Sequence, residues 1–260
     1  MVRWVLRRGL CRLETAVHLA MWPQSCYHVY MIVLITGANK GLGYEAARRL
    51  IELGHQVVVG ARHIDRGHAA ATALGARFVQ VDVTEDVSVR AAADNVALHE
   101  GRIDVLINNA GVSEGMTPFD QIVVEQAQRV YETNVFGVIR VTSAFLPLLR
   151  KSESPVIVNV GSGLGSFART HDSDNLESKV VAPIYCSSKA ALSMLTVQYA
   201  KALPEMRVNA VDPGFTATDL NGGRGVQTVT EGTDAVVAMA TLGLDGPTGT
   251  FQDRRGHVGW

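Results

Sequence analysis

From Met31 onward the apolar residues fall into two alternating patterns, short continuous runs and longer stretches with one apolar side. Ile32 to Ile35 is an unbroken apolar run ending at Thr36-Gly37, the composition of a strand buried on both faces of a parallel sheet. Leu42, Ala46, Leu50 and Leu53 then recur at helical spacing, which predicts a helix over 42–53 stopped at Gly54. The alternation continues with strand 56–59, helix 65–74, strand 77–81, helix 86–99 and strand 103–107. Two longer helices, 125–149 and 184–203, flank a strand at 156–160, and 207–211 forms one more. Strands separated by helices run parallel with right-handed crossovers, so the expected fold is α/β, a single doubly wound parallel sheet with helices on both faces. Ligands of such sheets lie at the C-terminal strand ends, near the point where strand order reverses.

Composition narrows the class without changing the fold. A chain of 260 residues, 47% hydrophobic, fits a single core. Twenty-four Lys and Arg against 25 Asp and Glu leave no positive field for a polyanion, which argues against nucleic acid as a partner. Cys11, Cys26 and Cys186 make no C-x-x-C pair, so neither a disulfide scaffold nor a structural zinc site is expected. Charged or polar residues break every apolar run short of the roughly 18 residues a membrane span needs. A soluble, cytoplasmic protein is expected.

Residues 1–30 differ from the rest. They carry Arg3, Arg7, Arg8 and Arg12 against the single acid Glu14, yet lack a secretory apolar region with a small-residue cleavage site. The expected division is a poorly ordered extension over 1–30 and one domain over 31–260.

The candidate chemistry falls at the predicted strand ends. The first turn reads Gly37-Ala38-Asn39-Lys40-Gly41-Leu42-Gly43, whose glycines allow a tight turn and close approach of backbone N–H groups to a pyrophosphate, or serve packing alone. The second strand ends in Gly60-Ala61-Arg62, a cation where an acid would select a free ribose hydroxyl. With Lys40 it suits a 2′-phosphate, and either residue alone is also an ordinary surface cation. Asp82, before Val83, can meet an adenine amino group or cap a helix. Tyr185 and Lys189 are four apart at the start of a helix and share one face. An ammonium beside a phenol favours phenolate, which makes Tyr185 a candidate general acid/base, and Ser162 supplies a hydroxyl at the same sheet edge. His171-Asp172-Ser173-Asp174 reads as a polar loop tip rather than a metal site, and Cys186 as a packing residue.

Thr36-Gly-x-x-x-Gly-x-Gly43, Asn108-Asn109-Ala110-Gly111, Asn134, Ser162, Tyr185-x-x-x-Lys189 and Pro213-Gly214, in this order, resemble the short-chain dehydrogenase/reductase family over residues 31 to 260. The resemblance implies a Rossmann-type fold and an oxidoreductase that moves hydride between a nicotinamide and a small-molecule carbonyl or alcohol. It implies that Tyr185 exchanges the proton, that Ser162 hydrogen-bonds the substrate oxygen, that Lys189 holds the nicotinamide ribose and tunes Tyr185, and that Asn134 positions a water. Asn108, Ala110 and Gly111 would line the cofactor together with the glycine turn, and Pro213, Gly214, Thr216 and Thr218 would hold its carboxamide. Lys40, Arg62 and the run Gly249 to Arg254 are similar to the NADPH-dependent carbonyl reductase-like members, so NADPH/NADP+ is expected ahead of NADH.

Ser162 and Tyr185 are 23 positions apart, longer by about ten residues than in the family's shorter members, which places an insert within Phe167 to Val181. It falls where substrate class and oligomeric state are decided, so monomer and homo-oligomer both stand. Ser113, Glu114, Phe167, Phe215 and Leu220 are candidates for the substrate pocket. A non-catalytic NADP-binding regulator on the same fold has no need of the Ser162, Tyr185 and Lys189 set. An epimerase or dehydratase of the longer branch needs a further C-terminal domain, for which the 46 residues after Gly214 are too few.

Overall fold

The computed structural model describes residues 30–113, 115, 117–243 and 245–260. The proposed extension, apart from its last residue, and the pocket candidate Glu114 lie outside the described residues.

The strands are β1 (Ile32–Thr36), β2 (Gln56–Ala61), β3 (Arg77–Gln80), β4 (Val105–Asn108), β5 (Val156–Val160), β6 (Arg207–Val211), β7 (Phe251–Asp253) and β8 (Gly256–His257). They form one sheet in the order β3-β2-β1-β4-β5-β6-β7-β8. All neighbours are parallel except β7 and β8, an antiparallel pair at the edge. The helices are α1 (Gly41–Glu52), α2 (Ile64–Leu74), α3 (Asp86–His99), α4 (Val124–Tyr131), α5 (Gly137–Leu149), α6 (Phe167–His171), α7 (Pro183–Ala202), α8 (Val229–Gly232) and α9 (Asp234–Ala240).

Alternation along β1 explains the layers. Val33 and Ile35 point into one core layer with Ala46 and Leu50 of α1, Ala70 of α2 and Val236 of α9. Ile32 and Leu34 point into the other, with Val89 and Val96 of α3 and Val141 and Phe145 of α5. Covered on both faces, β1, β4 and β5 are buried throughout, which is why their sequences are apolar but for the buried Thr36, Asn108 and Asn159. Met31 joins the first layer, at the edge of the sheet's central strand.

Three features depart from the sequence expectation. The helix expected over 125–149 is divided into α4 and α5 by a π-helical segment, Glu132–Phe136. The insert folds as α6 followed by a 3₁₀ turn, Leu176–Lys179. The C-terminal run forms the β7–β8 hairpin, with Phe251 stacked on Trp260 at 5.5 Å between ring centroids.

Candidate active site

Strand order reverses between β1 and β4, and the glycine turn leaves β1 at that point. Thr36 closes the join: its Oγ1 accepts the backbone N–H of Asn109 and of Ala110, each at 3.1 Å. Asn109 answers by donating Nδ2 to the carbonyls of Thr36 (2.8 Å) and Gly37 (3.2 Å). Gly37 has φ +66°, and a Cβ there would lie 3.1 Å from Ala110 Cα, so glycine is required on both counts. At Gly43 an added Cβ would come within 2.5 Å of Asn109 Nδ2 and 2.8 Å of the Gly37 carbonyl. Part of the glycine pattern therefore serves close packing of the turn against the β4 loop. Above Gly41 the space is open, with Thr218 Cγ2 at 3.8 Å from a Cβ placed there.

The catalytic candidates converge beyond this turn. Tyr185 and Lys189 stand on the first turns of α7, which starts with Pro183. Lys189 is buried and donates Nζ to the Val160 carbonyl at 2.8 Å, 5.6 Å from the centroid of the Tyr185 ring. Burial lowers its ammonium to about 8, against the opposing pull of the Asp212 carboxylate. Ser162 follows β5, and its Oγ accepts the Leu164 N–H at 3.2 Å, which fixes the 3₁₀ turn Gly163–Gly165. That turn packs on α7, since a Cβ at Gly165 would fall 2.8 Å from Lys189 Cβ. Asn134 sits in the π segment with Oδ1 accepting Val112 N–H and Nδ2 donating to the Val112 carbonyl, both at 2.9 Å, and to Ser188 Oγ at 3.1 Å. A Cβ at Gly111 would be 3.5 Å from Asn134 Oδ1 and 3.6 Å from Lys189 Nζ, so these groups share one small space.

Other expected residues are placed less directly. The Asn108 side chain is buried in the core, donating to Thr142 Oγ1 (3.2 Å) and Asn159 Oδ1 (2.9 Å), so its role is to join β4 to α5 and β5. The Asn134 carboxamide is likewise spent on Val112 and Ser188. Asp82 caps no helix: Oδ1 accepts the N–H (3.0 Å) and the hydroxyl (2.7 Å) of Thr84, while Glu85 stands at the N-terminus of α3. Val83 is buried, its carbonyl accepting from Arg140. Thr216 is buried and donates Oγ1 to the Pro213 carbonyl at 2.8 Å, and Thr218 opens the 3₁₀ turn Asp219–Asn221. Asn39 and Leu42 are half-buried on the turn. Arg62 is exposed, with Nε to His63 Nε2 at 3.2 Å. Lys40 reaches across to Asp219 Oδ2 at 2.7 Å, a contact that sequence spacing did not suggest. His171 and Asp172 make local bonds to the Phe167 carbonyl and to Asp174 N–H.

Residues outside the expected set also reach the site. Arg169, in the insert, binds Glu177, Asp212 and Asp253 together. Asp212, directly before the Pro213-Gly214 turn, is buried and stands outside the motifs read from the sequence.

These residues fit a dinucleotide. The turn presents the N-terminus of α1 beside the open space over Gly41, and Arg62 offers a guanidinium at the end of β2. Beside Gly214, Gln227 Oε1 is buried with no hydrogen-bond partner among the described residues, an acceptor next to the turn expected to hold a carboxamide.

The model of the short chain dehydrogenase family matches residues 31–227, and the chain belongs to that family. It is an NAD(P)-dependent oxidoreductase acting on a CH–OH or C=O group. Among its relatives, the short-chain dehydrogenase anuI of Penicillium roqueforti is 38% identical over 225 residues, covering 82% of this chain and 89% of the relative. The (+)-neomenthol dehydrogenase of Arabidopsis thaliana is 32% identical over 282 residues, covering 85% and 95%. The NADPH-bound carbonyl reductase from chicken fatty liver superposes with a TM-score of 0.79 at 27% identity, over 89% of this chain and 99% of that one. Among the described residues no helix is long and apolar enough to cross a membrane.

Proposed function

We propose that the chain reduces an aldehyde or ketone with NADPH, Tyr185 acting as the general acid. The observation that carries this reading is the buried Lys189, held by the Val160 carbonyl under the Tyr185 ring and beside the Ser162 turn. The bound reduced nicotinamide would supply hydride to the carbonyl carbon. The chain's own part is to receive the charge that develops on the oxygen. Tyr185 gives its phenolic proton to that oxygen, Ser162 donates a hydrogen bond to it, and the Lys189 ammonium makes the phenol a better acid. Asn134 keeps the Val112 loop docked on α7 through Ser188, and a water held there would be bound by its backbone. Below pH 8 Lys189 keeps its charge, so it can tune the Tyr185 phenol at neutral pH.

For the cofactor, the exposed Arg62 guanidinium suits a 2′-phosphate, with Lys40 a second cation once it leaves Asp219, and the chicken relative is described as NADPH-bound. For the substrate, relatives named for neomenthol and salutaridine, together with the exposed Phe167, Phe215 and Leu220, support a carbonyl carried on an apolar body.

Titration of the protein with NADPH and with NADH, followed by NADPH oxidation with a panel of cyclic ketones and aromatic aldehydes, tests the reading. NADPH is expected to bind more tightly, and Arg62→Ala to weaken it about tenfold or more without affecting NADH. Equal affinities would overturn the NADPH assignment, and NADPH binding with no turnover on any carbonyl would favour the regulator.

A further inference from the structure

Asp212 follows β6 with its carboxylate buried, and three otherwise separate parts of the site meet on it. Oδ1 accepts the N–H of Gly214 at 2.9 Å, which sets the Pro213-Gly214 turn. The backbone N–H of Gly163, the residue after Ser162, also donates to this carboxylate, and a Cβ at Gly163 would lie 2.8 Å from Oδ2. Oδ2 takes Nη1 of Arg169 at 2.9 Å. Arg169 comes from α6 in the insert, where Ser166 accepts its N–H at 3.0 Å. Its guanidinium extends to Glu177 Oε1 at 3.1 Å and to Asp253 Oδ2 on β7 at 2.5 Å. One carboxylate thus joins the Ser162 turn, the Pro213-Gly214 turn and the insert.

We propose that Asp212 is a positioning residue of the catalytic site: it holds the Ser162 turn and the Pro213-Gly214 turn in register and sets a negative charge beside Lys189, whose Nζ bonds the carbonyl of Val160, the residue paired across the sheet with Val211. This rests on the acid/base reading of Tyr185 and Lys189 above. The charged and titratable groups facing Lys189 are Tyr185 on its own helix and Asp212 from β6; those facing Asp212 are Arg169 and Glu177 from the insert. Burial raises the Asp212 carboxyl, while the N–H groups of Gly214 and Gly163 and the Arg169 guanidinium oppose that. An ionised Asp212 favours the charged form of Lys189, so removing its charge makes Lys189 release its proton at lower pH.

The chain has five lysines, so the full-length protein labelled with ¹³C at lysine Cε gives few signals, and Lys189 is assigned by the one missing in Lys189→Met. Asp212→Asn keeps the shape and an acceptor for Gly214. The Lys189 midpoint is expected to fall by about half a pH unit or more relative to the parent. An unmoved midpoint would overturn the proposal, because a scaffold role alone leaves no charge to lose. Should the asparagine protein not fold, Asp212→Ser makes the same measurement, and failure of both to fold would make Asp212 part of the scaffold and overturn the proposal as well. The titration needs no turnover, so it fails independently of the acid/base reading, which falls instead if Tyr185→Phe stays active.

Discussion

On the cofactor side, Thr36, Asn109, Gly37 and Gly43 hold the glycine turn against the β4 loop with neutral groups and short backbone bonds. On the substrate side, the insert is fastened by one guanidinium to three carboxylates that come from α6's own loop, the end of β6 and β7. A neutral, backbone-centred join keeps its geometry across pH and salt, and it tolerates almost no change of side chain because its atoms are already in contact. A charged side-chain join depends on the ionisation of its members and can be retained while the surrounding loop changes length. The first arrangement suits a turn whose backbone must stay fixed, and the second suits a loop whose length can change.

The largest expected effect tests the chemistry that both sides serve. Tyr185→Phe removes one hydroxyl, so turnover should fall by about 10²- to 10⁴-fold while NADPH affinity and the melting temperature stay near the parent's. Stopped-flow and steady-state assays on a carbonyl that the parent reduces would measure it. Near-parental turnover would separate the two halves from any shared acid/base step.

Gly43→Ala strikes the neutral side. The new methyl would sit 2.5 Å from Asn109 Nδ2, 2.8 Å from the Gly37 carbonyl and 2.9 Å from Ala38 Cα, two of them backbone atoms that cannot turn away. A destabilisation of about 3 kcal/mol is expected, with weakened binding of either nicotinamide nucleotide, and urea melts should show the same loss at low and high salt. A salt-dependent loss would contradict the contrast drawn between the two sides.

Much of this contrast follows from which interactions leave a local trace in a sequence. Buried parallel strands must be largely apolar on both faces, so β1 and β2 are visible as apolar runs, and the four-residue step from Tyr185 to Lys189 marks one helix face. Non-local pairings leave no such trace. Arg169 finds Asp212 and Asp253 at separations of 43 and 84 residues, and nothing near any of them in the chain announces the other two. The insert's place was readable from the spacing of Ser162 and Tyr185, but its fastening was not. The π segment was hidden for a related reason: Asn134 is held by Val112, 22 residues earlier, while the apolar spacing continues through it. The side-chain partners of Asn108 are also non-local: Thr142 and Asn159, 34 and 51 residues away, hold it within the core.

Lys189→Met comes next in size. Burial brings the Lys189 ammonium from 10.5 to about 8, so between those values the unfolded chain binds a proton that the folded one has lost, and parental stability rises with pH. The displacement corresponds to about 3 kcal/mol against the folded state at pH 7, and losing the bond to the Val160 carbonyl returns about 1. Lys189→Met should therefore be about 2 kcal/mol more stable than the parent at pH 7, with the advantage lost toward pH 10.5 and turnover lost throughout. Denaturant melts at the two pH values would show it, and an advantage that did not shrink with pH would mean that it comes from packing.

The smallest effect concerns a charged contact made by the glycine turn, between Lys40 and the loop after Pro213-Gly214. Lys40 and Asp219 are both well exposed at 2.7 Å, so the pair is screened by solvent and contributes little to the fold. It nevertheless draws the Lys40 ammonium toward the loop after Pro213-Gly214 and away from a 2′-phosphate at the end of β2. Asp219→Asn releases that ammonium without disturbing Gly37, Gly43 or Asn109. NADPH affinity should rise by about two- to fivefold, NADH affinity should stay constant, and the gain should fade as salt is raised because the new contact is also exposed. Fluorescence titrations of both nucleotides at two salt concentrations would decide it. A gain shared equally by NADH would mean that Asp219 acts through repulsion of the pyrophosphate, leaving 2′-phosphate selection to Arg62 alone.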